Sequence, residues 1–566
     1  MSSEPFRTQL AALESRGRLR HLIPRAGRDF ASNDYLGLAS DPMIGQAVAD
    51  AVARGVPVGS GGSRLLRGNA PEHEGLEAKA AEFFRTQASL FLANGFLANM
   101  ALFATLPQRG DLIVADELIH ASVHDGIRLS KATAVFARHN DLQSFADLIT
   151  AFRAEGGKGR IWIAVETLYS MDGDMAPLGD LAKLAATHDA MLLLDEAHGT
   201  GVFGPGGRGL SAGLDGLHNV ITLHTCGKAM GVEGALICGP RIHIDYLINR
   251  ARPFIFSTAP SPLMAVAASA AIDRIETADN RRDRLATLRQ DAVEAICAPL
   301  GLPRPRSQII PLILGEDART MAAAAALQEA GFDVRGIRPP TVPAGTSRLR
   351  ISLSLNVGRA DVIALGDVLR RTVFAAGLAA ALGAYYWKPI QAGVDPQGDK
   401  ERVATLSGLP TKRILPEAYR LATPASPHLA ARIDGVDISL DRLALPRVDG
   451  PLVVEGAGGV LVPVSESLLM ADLFAYWGQP AILCARTGLG TINHSLLSIE
   501  ALRARGVHVV GIAFIGEAHE ENERIIPHIA GVPSLGRLPL LDPLDRDSLA
   551  AAFRAHIHLP DNFNGR

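Results

Sequence analysis

The strongest chemical signal in this 566-residue chain comes from four residues in two short stretches. Asp195 and His198 follow the apolar run of "MLLLDEAHG", and Thr225 and Lys228 follow that of "VITLHTCGKAMG". A free lysine amine ionises near pH ~10.4 and must be neutral to bond to a carbonyl carbon, a state that a buried pocket can arrange. A carboxylate at a strand end can keep a pyridine nitrogen protonated, so that the ring draws electrons from a bound substrate. An Asp, a His three residues on, and a Thr-x-x-Lys about thirty residues later are therefore what pyridoxal phosphate needs. Each piece alone is a weak signal. A Gly-Lys pair on a turn is ordinarily a solvated lysine, and Asp-Glu-Ala-His after a strand also occurs in helicases as a metal-binding sequence. No G-x-x-x-x-G-K-[ST] precedes it here, which removes the helicase reading.

These residues need a frame that presents strand ends to a ligand. From about residue 45 to about residue 280, short apolar runs alternate with helical spacing, as in "RIWIAVETLYS", "DLAKLAATHDA" and "MLLLDEAHG". That order predicts an α/β fold with a mostly parallel sheet, helices on both faces and ligands beyond the carboxyl ends of the strands. The Pro-rich stretch "CAPLGLPRPRSQIIPLIL" introduces a smaller unit. The expected division is an N-terminal arm over 1–45, a cofactor-binding large domain over 46–285, a small domain over 286–371 and a further unit over 372–566. A hydrophobic content of 48%, a charged content of 20% and a net charge of −3 are ordinary globular values and suggest neither a nucleic-acid nor a membrane-surface partner. The four cysteines form no C-x-x-C pair, and "MSSEPFRTQL" has no basic-then-apolar pattern, so a cytoplasmic location is expected. The apolar run Thr372 to Trp387 is too short for a membrane span and reads as a buried helix followed by a strand.

In chain order, "FASNDYLGLAS", "GSGGSRLLRGNAPEHEGLE", "FLANGFLAN", "ADELIHASVHDGIR", "ETLYSMDGDMAPL", "LLLDEAHGTGVFG", "LHTCGKAMG", "FIFSTAPSP" and "GIRPPTVPAGTSRLRISLS" resemble the α-oxoamine synthases, and within them the 8-amino-7-oxononanoate synthases. The resemblance implies a pyridoxal phosphate enzyme of fold type I with a large and a small domain, working as a homodimer with its site at the subunit interface. Lys228 would bond to the cofactor and later take the Cα proton of the amino acid. Asp195 would pair with the pyridine nitrogen, and His120 would stack on the ring; the plain alternative for His120 is a helix-start histidine. His198 and Ser170 would contact the phenolic oxygen side, Thr225 the phosphate. Backbone N–H groups of Gly95 and Phe96, where "ANGF" opens a helix, would also hold the phosphate. Ser257 and Thr258 would reach it across the dimer interface. Arg350 would bind the substrate carboxylate, and Arg20 and Thr341 align with substrate contacts. The implied reaction joins L-alanine to a pimeloyl thioester of coenzyme A or an acyl-carrier protein, giving 8-amino-7-oxononanoate, carbon dioxide and free thiol. The alternative is a sister enzyme that uses glycine or serine.

The second half, with "YYWKPIQAG", "TPASPHLAA", "PLVVEGAGGVLVPV" and "ILCARTGLGTINHSLLSIEALRARG", resembles dethiobiotin synthetase, an ATP-dependent ring-closing ligase with a P-loop NTPase-like α/β fold. The resemblance gives Lys388 the carbamate and transferred phosphoryl group, Glu455 and Asp399 magnesium, and Thr372 the place of a magnesium-binding threonine. That family opens with a buried strand and a G-T-D-T-x-x-G-K-T loop, and this chain has neither: Arg370 and Arg371 stand where Gly-Lys belongs. "ADVIALGDVLRR" instead has the apolar spacing of the first unit's last helix. Without small residues the backbone cannot wrap phosphate oxygens, and a lost first strand should bare a strand edge. The alternatives are a second half that only binds or dimerises and, more broadly, a scaffold with no chemistry.

Overall fold

The computed structural model describes residues 3–560 except 17, 23, 301, 330, 393–398, 422, 424, 489, 540 and 542–545. Seven strands form the first sheet: β1 (Ala88–Leu92), β2 (Leu112–Asp116), β3 (Thr133–Ala137), β4 (Ile161–Glu166), β5 (Met191–Asp195), β6 (Val220–Thr225) and β7 (Ala235–Gly239). They lie in the order β1-β7-β6-β5-β4-β2-β3. β7 is antiparallel to both its neighbours, and the other pairings are parallel. β1, β2, β4, β6 and β7 are buried along their whole length, which is why they read as continuous apolar runs rather than alternating ones. One face packs on α1 (Gly95–Thr105) and α2 (Ala121–Leu129), with Ala98, Leu102 and Val123 against Trp162, Leu193 and Ile237.

A second sheet, antiparallel, consists of β8 (Ile309–Gly315), β9 (Arg335–Ile337) and β10 (Ser347–Ser352), with β10 in the middle. β10 brings Arg350 to Ser170, just past the end of β4, and Arg335 of β9 is its strand partner.

One helix, α3 (Arg359–Leu382), joins the two halves of the chain without interruption for 24 residues. Its start supplies Val362, Leu365 and Leu369 to the core of the first half. Its end supplies Val373, Phe374, Ala376 and Ala379 to the core of the second. Gly383, at φ 55°, then stops it in the left-handed conformation that a glycine adopts at low cost.

The second half contains β11 (Tyr385–Trp387), β12 (Ile390–Ala392), the helix α4 (Asp399–Ser407), β13 (Tyr419–Leu421), β14 (Leu452–Val454), α5 (Met470–Trp477), β15 (Ala481–Arg486), β16 (Val509–Ile515), β17 (Ser534–Leu538) and α6 (Arg546–His556). β11 pairs with β14, β12 with β13, and β15-β16-β17 form a separate sheet, all parallel. Among the described residues, β14 and β15 do not pair. The same helices nevertheless cover both pieces. α3 and α6 pack on Tyr386 and Val453 of one and on Ala513 and Leu535 of the other. Phe474 of α5 does so on the opposite side, touching the cluster of Leu452 and Val454 and that of Leu483 and Phe514. Residues 481–484 of β15 are half-buried while β16 beside it is buried throughout. No helix among the described residues is long and apolar enough to cross a membrane.

Candidate active site

The carboxyl ends of β4, β5 and β6 place the main groups of the first site. Asp195 ends β5, Thr225 ends β6, and Lys228 lies in the turn that follows. Lys228 Nζ stands 2.9 Å from His198 Nε2, and the other nitrogen of that ring stands 2.6 Å from the Tyr35 hydroxyl. Burial lowers the pKa of Lys228, and the charge of Arg350 lowers it further, against the opposing charges of Asp195 and Glu166. His198 is held well below its ordinary value by burial and then by the Lys228 and Arg350 charges, so the ring is neutral.

A chain of hydrogen bonds fixes the Asp195 carboxylate. Asn99 of α1 donates to Asp195 Oδ2 at 2.8 Å and to Ser122 Oγ at 3.0 Å, and Ser122 Oγ lies 2.8 Å from His120 Nδ1. The backbone N–H of Ala197 donates to Asp195 Oδ1 at 2.9 Å. His120 is the N-cap of α2, with its Nδ1 accepting from Ser122 N at 3.3 Å, and burial lowers its pKa. The helix-start reading of His120 is thus realised, and the same cap ties it to the Asp195 network.

Arg350 is buried and held from several directions. Its Nε donates to the Ser170 carbonyl at 2.5 Å, Nη1 to Ser352 Oγ at 2.8 Å, and Nη2 to Asn33 Oδ1 at 3.0 Å and the Tyr35 hydroxyl at 3.3 Å. The fork therefore has its direction set before any substrate arrives.

Thr225 faces the N-terminus of α1, where Gly95 is the first helical residue and Asn94 caps the helix by accepting from Leu97 N at 2.9 Å. A Cβ on Gly95 would stand 3.4 Å from Thr225 Oγ1, so the missing side chain leaves a small cradle between helix end and hydroxyl. Phe96 follows on the exposed side. Helix N–H groups, a hydroxyl, a buried lysine of lowered pKa and a strand-end carboxylate fit pyridoxal phosphate: Lys228 could bond to it, Asp195 could meet the ring nitrogen, and Gly95, Phe96 and Thr225 could hold the phosphate.

Not every expected residue joins this cluster. Ser257 and Thr258 lie beside exposed Phe256 on a segment joined to residues 58–68 by the Ala259 N to Gly62 O bond of 2.9 Å. Arg20 and Thr341 are exposed; Thr341 N donates to the Arg338 carbonyl at 3.1 Å. Conversely, Tyr35, Asn33, Asn99 and Glu166 belong to the site and were not singled out from the sequence, although "FASNDYLGL", "FLANGFLAN" and "ETLYSMDGD" contain them.

In the second half, Lys388 forms ion pairs with Asp399 and, at 3.4 Å, with Glu455. Tyr386 donates to Glu455 Oε2 at 2.7 Å. The side chain of Thr372 lies outside the described residues. Among the described residues no group of three or more His, Cys, Asp or Glu could hold a metal ion. Magnesium is ordinarily held by one or two carboxylates together with substrate phosphates, and here Lys388 lies between the two carboxylates while α3 replaces the loop that would position phosphates. The described residues do not by themselves fit a magnesium site.

Comparison with known proteins divides the chain at α3. The family model described as aminotransferase class I and II matches residues 27–364, and the AAA domain model matches residues 369–548. The 8-amino-7-oxononanoate synthase of Anaeromyxobacter dehalogenans is 43% identical over 391 residues, 66% of this chain and 94% of that protein. The ATP-dependent dethiobiotin synthetase of Rhodopseudomonas palustris is 60% identical over 191 residues, 34% of this chain and 90% of that protein. A solved serine palmitoyltransferase from S. paucimobilis, with bound PLP and myriocin, superposes with a TM-score of 0.60 at 26% identity, covering 66% of this chain and 98% of that one.

Proposed function

We propose, for a chain that belongs to the aminotransferase class I and II family in its first half and to the dethiobiotin synthetases in its second, that it serves biotin synthesis chiefly through the first half. There it condenses L-alanine with a pimeloyl thioester, of coenzyme A or an acyl-carrier protein, to 8-amino-7-oxononanoate. Pyridoxal phosphate, when bound, supplies the electron-withdrawing ring that makes the Cα proton of the amino acid acidic.

The chain's own residues do the rest. Lys228, whose pKa burial lowers, takes the Cα proton as general base. Asp195, locked by Asn99 and Ala197 N, holds the proton on the ring nitrogen. His120 covers the ring, and His198 with Ser170 faces the phenolic oxygen. Arg350, pre-aimed by Asn33, Tyr35 and Ser352, takes the amino-acid carboxylate. The Cα carbon bonds to the acyl carbon as the C–S bond breaks, the thiol leaves, the carboxylate departs as carbon dioxide, and a proton returns to Cα. Arg20 and Thr341 border the acyl substrate.

The observation that carries this reading is buried Lys228, its pKa lowered, 2.9 Å from His198 and under the charge of Asp195. A homodimer in the cytoplasm is part of the proposal. Exposed Val58, Leu66 at 86% and Phe256 at 71% surround the segment of Ser257 and Thr258, an apolar surface suited to a second subunit whose phosphate those two residues reach. Purified protein offered alanine, glycine and serine with several acyl thioesters should prefer alanine and pimeloyl; preference for glycine or serine sinks the assignment. Lys228→Ala should abolish the bound cofactor's visible absorbance.

For the second half one observation favours binding without ATP-driven ring closure. α3 is helical through residues 366–372, where a phosphate loop would have to bend. Phosphoryl transfer depends almost wholly on positioning and charge neutralisation, so Lys388, Asp399 and Glu455 remain as a charged pocket for a diamine or its carbamate. Measuring both steps in one coupled assay separates the halves: ring closure with ATP would overturn this part alone.

A further inference from the structure

Glu166 has no part in the reaction as described, yet it occupies a place beside the reacting groups. It is the last residue of β4 and lies directly opposite Asp195, the last residue of β5. Directly opposed residues on neighbouring strands present their side chains on one face, so the two carboxyl groups are neighbours. Glu166 is 2% exposed. Its Oε2 accepts from Ser170 N at 3.3 Å, while its Oε1 is buried and has no hydrogen-bond partner among the described residues.

A carboxylate with one bare oxygen out of water is costly, and a second negative charge next door raises the cost. Protonation removes the charge that makes both penalties large, leaving a neutral acid in place of an unsatisfied anion. The surrounding charges are those of Asp195 on β5, Asp116 on β2 and Lys228 after β6. Tyr35, from the N-terminal segment, senses Glu166 as well. Burial first, and then the Asp195 charge, push the carboxyl up to about 8.

Lys228 gives this state a consequence. Charged carboxyls at both Asp195 and Glu166 favour the ammonium form of the amine, whereas burial and Arg350 favour the neutral one. We propose that Glu166 is a positioning residue for Lys228: as an uncharged acid it leaves Asp195 as the single neighbouring carboxylate charge, which biases the amine toward the uncharged form that reacts. Asp195 is then reserved for the ring nitrogen. When Glu166 ionises, Lys228 is drawn toward its protonated form.

This rests on the proposed binding of pyridoxal phosphate at Lys228, and the experiment separates the two. The full chain loaded with pyridoxal phosphate is titrated from neutral to alkaline pH while its visible absorbance is followed. Wild type should show a step that tracks the ionisation of Glu166. Glu166→Gln, isosteric and never charged, should lose that step, and Glu166→Asp should keep it at a displaced midpoint. A Glu166→Gln profile identical to wild type overturns the inference, as it would show a merely structural residue. If that variant does not fold, an unchanged midpoint in Glu166→Asp overturns it equally. Wild type without any visible cofactor absorbance would instead sink the assignment of the site itself.

Discussion

Lys228 Nζ and His198 Nε2 are 2.9 Å apart, and the far side of the same imidazole meets Tyr35 at 2.6 Å. Two groups whose pKa values burial lowers therefore share one contact. His198→Ala leaves Lys228 in place without its partner. We expect the bound cofactor's absorbance to persist while turnover falls about 10²-fold, the lower end for loss of a proton-handling group. Steady-state rates beside absorbance spectra check this.

His139 is held between two carboxylates, its Nδ1 2.8 Å from Asp116 and its Nε2 2.8 Å from Asp174. Hydrogen bonds and charges from both, outweighing desolvation, raise its pKa from 6.5 to about 10. A folded-state value above the unfolded one adds stability that is fully present below pH 6.5 and is lost as pH rises through about 10. His139→Gln should cost about 2 kcal/mol, the scale of hydrogen bonds to charged groups. Calorimetric unfolding should show the gap between wild type and variant closing as the pH climbs across that window.

Gly377 sits inside α3, where alanine would ordinarily add about 1 kcal/mol through helix propensity. Here a Cβ would stand 2.5 Å from a ring carbon of Phe553 and 3.3 Å from Leu549, both on α6. Gly377→Ala should therefore destabilise the second half by about 1–3 kcal/mol, as overpacking does. Phe553→Leu in the same chain should recover part of it, read by the fluorescence of Trp387 and Trp477.

Ring closure by the second half should be at least about 10³-fold slower than in a synthetase with a phosphate loop, given how much of phosphoryl transfer is positioning. Calorimetric titration of the full chain with ATP and magnesium should show no saturable site, while the first reaction proceeds normally in the same preparation.

The groups legible in the sequence are those that a strand end fixes by itself. Asp195, Thr225 and Lys228 lie at or just past apolar runs, and such runs have to become buried strands. Their partners were hidden by distance along the chain: Tyr35 is 163 residues from His198, and Asn99 is 96 from Asp195. No local spacing encodes either contact. Glu166 was hidden differently, since one glutamate at a strand end says nothing about an acid facing it until register is known. In the second half the missing strand and loop could be read directly. What the sequence did not disclose is that α3 and α5 each brace both pieces although β14 and β15 do not pair among the described residues.

A helix shared by two cores imposes an angular frame on the gene that encodes it. Each residue gained or lost between Leu369 and Val373 would turn everything downstream by about 100° and shift it by about 1.5 Å. Val362, Leu365 and Leu369 look into one core, and Val373 and Ala376 continue the same stripe into the next. Joining these two coding sequences therefore had to satisfy the triplet frame of the message and the winding of α3 together. Roughly one length in three or four keeps such a stripe aligned.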